Sequence, residues 1–227
     1  NNHSALFNHI MTGQCGEIPL PSKDSCRLIA TNLFSAVNKP FTAEANINTE
    51  QLYKIFYMAQ IIGDILVDLE IDAVQKIIDN TSGAEQKLWK EIQQMGYNGR
   101  RTGVGLLGLA DLLAGCNTNY NNFSLIELIM KLKLQAELDA TIDLAILNGH
   151  FPAYNPSVEY KNDEGQNNWY KFIQKEFPIQ YQRMRKWGRR NISFSTIAPT
   201  GSISILAGVS SGCEPVFSLY YTRRKKC

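Results

Sequence analysis

An α/β fold is predicted by three observations. One long stretch with apolar residues at helical spacing starts at Asn48, and a second starts at Ser124. Short β-branched or glycine-rich stretches that read as strands lie between and after them. Helices alternating with isolated strands argue for α/β architecture. At 227 residues the chain can form one large domain or two small ones and bury a real core.

Taken in order, residues 1–23 read as irregular. The stretch CRLIATNLFSAV, residues 26–37, spaces Leu28, Ile29, Leu33 and Val37 as a helix would, with a short strand at its start as the alternative. Pro40 closes it. Asn48 with Gln51 resembles a capping box. Leu52, Ile55, Phe56, Ala59, Ile62, Leu66 and Leu69 then continue a helix towards Ile78, with a break expected near Gly63 or Asp72. A second helix covers residues 84–95 and is ended by Gly96. In RRTGVGLLGLADLLAG the glycines give a strand or tight turn first, then a helix over residues 107–113. Ser124 and Glu127 form S-x-x-E before a long helix to Asn148, which Gly149 stops. Residues 151–168 read as loop, and two shorter amphipathic segments fill 167–187. ISFSTI, residues 192–197, alternates and is β-branched, so it reads as a strand. APTGS is a turn, SISILAG begins a short helix, and PVFSLYYT is a second strand. There is no internal repeat and no low-complexity segment.

Hydrophobic residues make up 44% and charged residues 19%, as in ordinary globular proteins. The net charge of +2 gives no support to nucleic-acid binding, and the basic run 223–226 reads as a solvated edge. No apolar run reaches the roughly 18 residues of a membrane span, and no signal peptide opens the chain. Five scattered cysteines without a C-x-x-C suit neither a disulfide framework nor a zinc site, and no metal is expected. Reduced thiols make the cytoplasm the expected compartment. Asn1 carries no initiator methionine and Cys227 follows a basic run, so the chain reads as a piece of a longer protein.

Three short segments carry the chemistry. Residues 103–108 fit G-x-G-x-x-G, but the polar residues before them are not the hydrophobic strand that a dinucleotide site needs, so these glycines read as close-packing positions. A nicotinamide dehydrogenase is the weak rival that rests on them. In residues 196–204 a strand ends, a Pro-Thr-Gly turn follows and a helix begins, which offers backbone N–H groups and the hydroxyls of Thr200, Ser202 and Ser204 to an anion. It lacks the lysine of a P-loop, and a plain turn is the competing reading. In TGQCGEIPLPSKDSC, Glu17 follows Cys15 by two residues, so an extended loop would point both the same way. A thiolate nucleophile wants a cationic neighbour, not a carboxylate. The pair suits a sulfur acting as a neutral or radical species while the glutamate moves a proton. Two structural cysteines are the alternative. Cys116, Cys213 and Cys227 read as plain thiols.

Taken together, QCGEIPLPSKDSCRLIATNL, RRTGVGLLGLADLL and STIAPTGSISILAGVSSGCEPVFSLYYTRR resemble, in order and spacing, the catalytic subunit of ribonucleotide reductase. They are similar to its finger loop, its internal glycine-rich segment and its substrate-phosphate loop with the adjoining barrel strand. The resemblance spans roughly residues 11–224.

It implies the later half of a ten-stranded α/β barrel with a central finger loop, with residues 1–227 forming part of one catalytic barrel domain and residues 1–10 unmatched. Cys15 would be the thiyl radical that removes the ribose 3′ hydrogen, and Glu17 would handle the 3′ hydroxyl proton. Cys26 would be one of two cysteines that deliver electrons and become a disulfide, the other lying elsewhere in the full protein. Ala198, Pro199, Thr200, Gly201, Ser202, Ile203 and Ser204 would hold the substrate phosphates. The family usually places asparagine two residues before the radical cysteine, against the ribose. Here that position is Gly13, and Gln14 would substitute as a substrate-binding residue. The short Cys15–Cys26 interval resembles the adenosylcobalamin-dependent (class II) enzymes. A class I large subunit, which binds no such cofactor and takes its radical from a metal-containing small subunit, is the first alternative. A non-catalytic, barrel-completing half of a split reductase is the second. Implied partners are a ribonucleotide, a thioredoxin- or glutaredoxin-type reductant, the rest of the catalytic chain and a second copy, and the fragment alone would be inactive.

Overall fold

The computed structural model describes residues 7, 9–160, 168–218, 220 and 222. The first elements among the described residues are an antiparallel hairpin of β1 (Ile10–Thr12) and β2 (Pro19–Pro21). Next comes β3 (Arg27–Asn32), the strand that stood as the alternative at the start of this stretch, where the apolar spacing favoured a helix. That spacing is divided between structures. Leu33 fills the core from a 3₁₀ turn over Leu33–Ala36, and Val37 belongs to β4 (Val37–Asn38), which pairs with β5 (Asn46–Ile47). The parallel partner of β3 is β6 (Thr102–Leu107), with Arg27 opposite Thr102 and Asn32 opposite Leu107. All six residues of β6 are buried, so it needs cover on both edges and both faces.

Residues 192–197, expected as a strand, run along the other edge of β6 as a single parallel bridge, Val104 to Ser195. Thr102 and Val104 donate backbone N–H groups to Ser193 and Phe194 at 3.0 and 2.9 Å, and Thr196 donates to Val104 at 3.0 Å. Parallel neighbours require long crossovers, and here helices supply them.

The crossover after β3 is α1 (Thr49–Asp79) and α2 (Gly83–Gly99). The Asn48 side chain accepts the Gln51 N–H at 2.9 Å, as the capping pattern predicts. No break interrupts α1 at Gly63 or Asp72. Gly63 serves another purpose: a Cβ there would lie 3.2 Å from the Thr102 side chain, so the glycine lets the helix settle on β6. Gly96 likewise does not stop α2. A Cβ at Gly96 would lie 2.8 Å from a guanidinium nitrogen of Arg27, and the helix ends instead at Arg100, in the left-handed region at φ 44°.

Short α3 (Leu109–Gly115) follows β6. The N-cap of α4 (Phe123–Asn148) is Asn122, not Ser124: its side chain accepts the Leu125 N–H at 3.2 Å. Gly149 caps the far end as expected. A short α5 (Pro156–Glu159) lies within the expected loop, and the two amphipathic segments are α6 (Asn168–Glu176) and α7 (Pro178–Trp187). The turn at 198–202 leads into α8 (Ile203–Ala207). PVFSLYYT forms no strand among its described residues; Leu219 and Tyr221, like the basic run 223–226 and Cys227, lie outside them.

One core cluster, including Leu52, Phe56, Val104, Leu106, Leu112 and Ile129, sits among α1, α3, α4 and β6. A second, including Leu138, Ile142, Tyr170 and Met184, joins α4 to α6 and α7. Between α1 and the sheet lies a buried polar knot. Asp64 accepts from Arg100 Nε and from Asn191 Nδ2, both at 2.8 Å, and the same Asn191 amide donates to the Arg100 carbonyl at 2.8 Å. Gln60 donates to Asn191 at 2.8 Å. The content is mixed helix and strand, as predicted, but the strands among the described residues do not close into a barrel. No helix among them is long and apolar enough to cross a membrane.

Candidate functional site

The loop between β1 and β2 carries the first expected site residues. Its backbone is fixed from within: Gly13 N–H donates to Ile18 C=O at 2.7 Å, and Gly16 N–H to Gly13 C=O at 3.0 Å. Gly16, at φ 72°, takes the left-handed turn residue that a side chain would disfavour. Ile18, 1% exposed, anchors the loop in the core. Gln14 and Cys15 are exposed at the tip. Glu17 does not simply extend beside Cys15. Its carboxylate folds back over Gly13 and accepts the Cys15 N–H at 2.9 Å.

One hydrogen bond ties this loop to a distant part of the chain, and Cys26 packs close by. The Thr196 hydroxyl donates to the Glu17 carbonyl at 2.7 Å, which fastens the loop to the line of chain leading into residues 198–204. Cys26 stands just before β3, over Gly103: a Cβ on Gly103 would come within 2.7 Å of Cys26 Sγ and 2.9 Å of Thr196 Cγ2. Gly103 is therefore a close-packing glycine inside a strand, as its sequence context implied. Burial pushes the Cys26 thiol up to about 12; Arg101 and Arg27 oppose the shift, and the Asp24 and Glu17 carboxylates add to it. Those arginines are themselves held, Arg101 Nε by Asp24 at 2.8 Å and Arg27 Nε by Glu70 at 2.6 Å. Cys15, Cys26, Cys116 and Cys213 are all free thiols.

In the 198–204 loop the side chains divide into two sets. Thr200 and Ser204, each 4% exposed, are turned inward. Thr200 Oγ1 accepts the Gly212 N–H at 2.7 Å, and its carbonyl accepts the Ser204 N–H at 2.8 Å. Ser204 Oγ donates to the Gly201 carbonyl at 3.4 Å. Both residues shape the loop. Gly201, Ser202 and Ile203 are exposed, as is Pro199, and Ala198 is half-buried beside Gly105.

Sequence reasoning missed Thr196, which joins the two loops. Its signal was its place within the alternating ISFSTI stretch. A buried pair behind that stretch was also missed. Lys133 Nζ donates to Glu137 Oε1 and to Ser195 Oγ, both at 2.6 Å, and burial raises the Glu137 carboxyl against the pull of Lys133. Two opposite charges at i, i+4 on the buried side of α4 were the available sign. Among the described residues no cluster of His, Cys, Asp and Glu could hold a metal ion.

The family model "Ribonucleotide reductase, barrel domain" matches residues 1–227. A vitamin B12-dependent ribonucleoside-diphosphate reductase of Mycobacterium tuberculosis (strain CDC 1551 / Oshkosh) is 26% identical over 215 residues, 93% of this chain and 25% of the relative. The protein of the same description from Thermoplasma acidophilum is 29% identical over 215 residues, 93% of this chain and 22% of its own length. A ribonucleoside-diphosphate reductase large chain of Encephalitozoon cuniculi is 27% identical over 146 residues, 60% of this chain and 18% of that protein. The chain thus spans about a quarter or less of the length of the curated relatives it matches. With the family model covering its whole length, this chain belongs to the ribonucleotide reductase barrel-domain family.

Proposed function

We propose that this chain is the part of a ribonucleotide reductase catalytic subunit that carries the radical cysteine and the substrate-phosphate loop, in the later half of a ten-stranded barrel. The observation that carries the reading is the bond from the Thr196 hydroxyl to the Glu17 carbonyl at 2.7 Å. It holds the Cys15 loop against the strand-like line that runs directly into residues 198–204, with the Cys26 thiol packed over Gly103 of β6, which the Thr196 side chain also faces. A sugar held by its phosphates at one loop can then be reached by sulfur and carboxylate from the other.

The Cys15 sulfur radical takes the hydrogen atom from ribose C3′, forming S–H and leaving a carbon radical. The Glu17 carboxylate takes the 3′ hydroxyl proton. The 2′ hydroxyl takes a proton from the thiol pair formed by Cys26 and a second cysteine elsewhere in the full protein, and leaves as water. The pair becomes a disulfide as its two electrons and second hydrogen pass to the sugar and place a hydrogen on C2′. Glu17 returns the proton to the 3′ oxygen, and Cys15 S–H returns its hydrogen atom to C3′, which restores the sulfur radical. A thioredoxin- or glutaredoxin-type protein reduces that disulfide. Backbone N–H groups of residues 201–203 and the exposed Ser202 hydroxyl bind the phosphates, while Thr200 and Ser204 keep the loop in shape. Gln14, exposed at the tip, takes the ribose contact that Gly13 cannot make.

The names of the relatives support a ribonucleoside diphosphate as substrate and adenosylcobalamin as cofactor, with class II the favoured reading. When bound, cobalamin supplies the radical, and an exposed thiol at a loop tip fits a sulfur that has to be reached from outside the chain. The match to a large chain over 60% of these residues favours the class I reading instead. Turnover of the full-length protein with cobalamin and no second subunit decides between them. The compartment in this reading is the cytoplasm, and the working form is a homodimer.

The full-length Cys15→Ser variant is expected to lose turnover while binding nucleotide within about twofold of the parent. Substantial residual turnover would remove Cys15 from the radical role.

A further inference from the structure

We infer that Asp111 is a positioning residue for phosphate binding: with the backbone of Gly108 it clamps residues 210–212, and these hold Thr200 and so the shape of the 198–204 loop. The clamp begins at the last glycine of the G-x-G-x-x-G stretch, which the proposed chemistry leaves unused. Gly108 is the N-cap of α3 and brings no side chain to cap it. The first N–H groups of a helix still need partners. Gly108 N–H donates to the Ser210 carbonyl at 2.9 Å, and Leu109 N–H to the Gly212 carbonyl at 3.4 Å. Asp111 stands three residues after the cap, where a capping-box carboxylate would reach back to the N–H of the cap itself. Its Oδ2 instead accepts the Ser210 N–H at 2.6 Å, across 99 residues. A carboxylate that accepts a backbone N–H makes one of the stronger hydrogen bonds. Glycine is required at position 108 because φ is 77° and a Cβ would lie 3.3 Å from Val209.

From the clamp the hold passes to the loop. Gly212 N–H donates to Thr200 Oγ1 at 2.7 Å, and Ser211 Oγ lies 3.3 Å from the same oxygen. Thr200 is buried, and the residues that follow it, Gly201, Ser202 and Ile203, face outward. Asp111 therefore acts on a bound phosphate only through residues 210–212 and Thr200. Its role rests on the proposed phosphate binding by this loop, and the test separates the two.

Asp111→Ala, Asp111→Asn, Thr200→Val and the double variant Asp111→Ala/Thr200→Val are made in the full-length reductase. Affinity is measured for a ribonucleoside diphosphate and for the same ribonucleoside without phosphates, together with kcat, KM, melting temperature and amide exchange of the peptide spanning residues 198–212. Asp111→Ala is expected to quicken that exchange, and to weaken diphosphate binding and raise KM by about 10-fold, the scale of one lost hydrogen bond to a charged group. Nucleoside affinity and kcat should stay within about twofold, because a grip on the phosphates is the same in ground state and transition state. Thr200→Val should act in the same way. Asp111→Asn keeps a carbonyl oxygen for the Ser210 N–H and should bind diphosphate within about threefold of the parent. On the Thr200→Val background, Asp111→Ala should cost less than about twofold more, because the link to the loop is already cut. An unchanged preference for diphosphate in Asp111→Ala, where Thr200→Val has lost it, overturns the inference. So does a loss in Asp111→Asn equal to that in Asp111→Ala, a full further loss on the Thr200→Val background, or a failure of both Asp111 variants to fold. An unchanged preference in both Asp111→Ala and Thr200→Val, with exchange still quickened in the former, removes the phosphate role of the loop and leaves the clamp on it standing.

Discussion

Cys26 should remain a thiol far above the pH at which an ordinary cysteine ionises. Burial is the main cause, and it raises the group from 9.0 to about 12 despite Arg101 and Arg27 nearby. Near pH 8 the thiolate fraction falls from roughly one in ten to roughly one in 10,000, a deficit of about 1,000-fold. A more basic thiolate is also the better nucleophile, and a Brønsted slope of about 0.45 over three pH units returns about 20-fold. Attack on a small disulfide probe should then be about 50-fold slower at Cys26 than in a denatured control. The assay is dithiodipyridine labelling of the full-length protein from about pH 7 to pH 11, with the Cys26 peptide followed by mass spectrometry. The rate should climb about tenfold per pH unit without a plateau below about pH 11. A plateau near pH 9, or a rate within about threefold of the denatured control, would refute the reasoning. The linkage has a definite sign. Below about pH 9 the thiol is protonated in both folded and unfolded chains; between 9 and about 12 only the unfolded chain loses the proton, so stability falls across that window. In the proposed chemistry, a sulfur that keeps its proton has a hydrogen to give along with its electron.

Two further changes test the frame around the site. Asp64→Ala removes the acceptor shared by Arg100, Asn191 and Arg190, and leaving a guanidinium that is 2% exposed short of its partner should cost about 3–5 kcal/mol, read as a large fall in melting temperature. A loss under about 0.5 kcal/mol would show that Asp68 alone satisfies Arg100. Thr196→Val keeps the shape beside Gly103 but deletes the bond to Glu17, and should cost about 1 kcal/mol and lower kcat more than it changes KM. Unchanged kcat would show that the finger loop holds its place without that tie.

Local signals were legible where one residue decides the outcome. The Asn48–Gln51 pattern marked the start of α1, Gly149 marked the end of α4, and the turn at 198–202 with its short helix fell where the residues placed it. Glycines misled where their cause lies far along the chain. Gly63 and Gly96 read as breaks because local rules treat glycine as punctuation, whereas each makes room for a partner, Thr102 or Arg27, on another element. In the stretch 26–37 the alternative of a strand at its start holds and the favoured helix does not, because Leu28, Leu33 and Val37 are neighbours in a helical count but belong to a strand, a 3₁₀ turn and a second strand. The three chemical segments of the site were all legible as motifs. Their joining was not, because the bond from Thr196 to Glu17 spans 179 residues and has no local trace.

The knot at Asn191 governs the order in which the molecule can assemble. Its amide meets Asp64 across 127 residues and the Arg100 carbonyl across 91, while Gln60 reaches it across 131. Contacts so distant along the chain form late, since the entropy of closing those loops is lost before any bond is gained. A nascent chain stalled short of residue 191 would hold α1 and β6 without their shared partner. The loop that follows would then be among the last pieces to take shape.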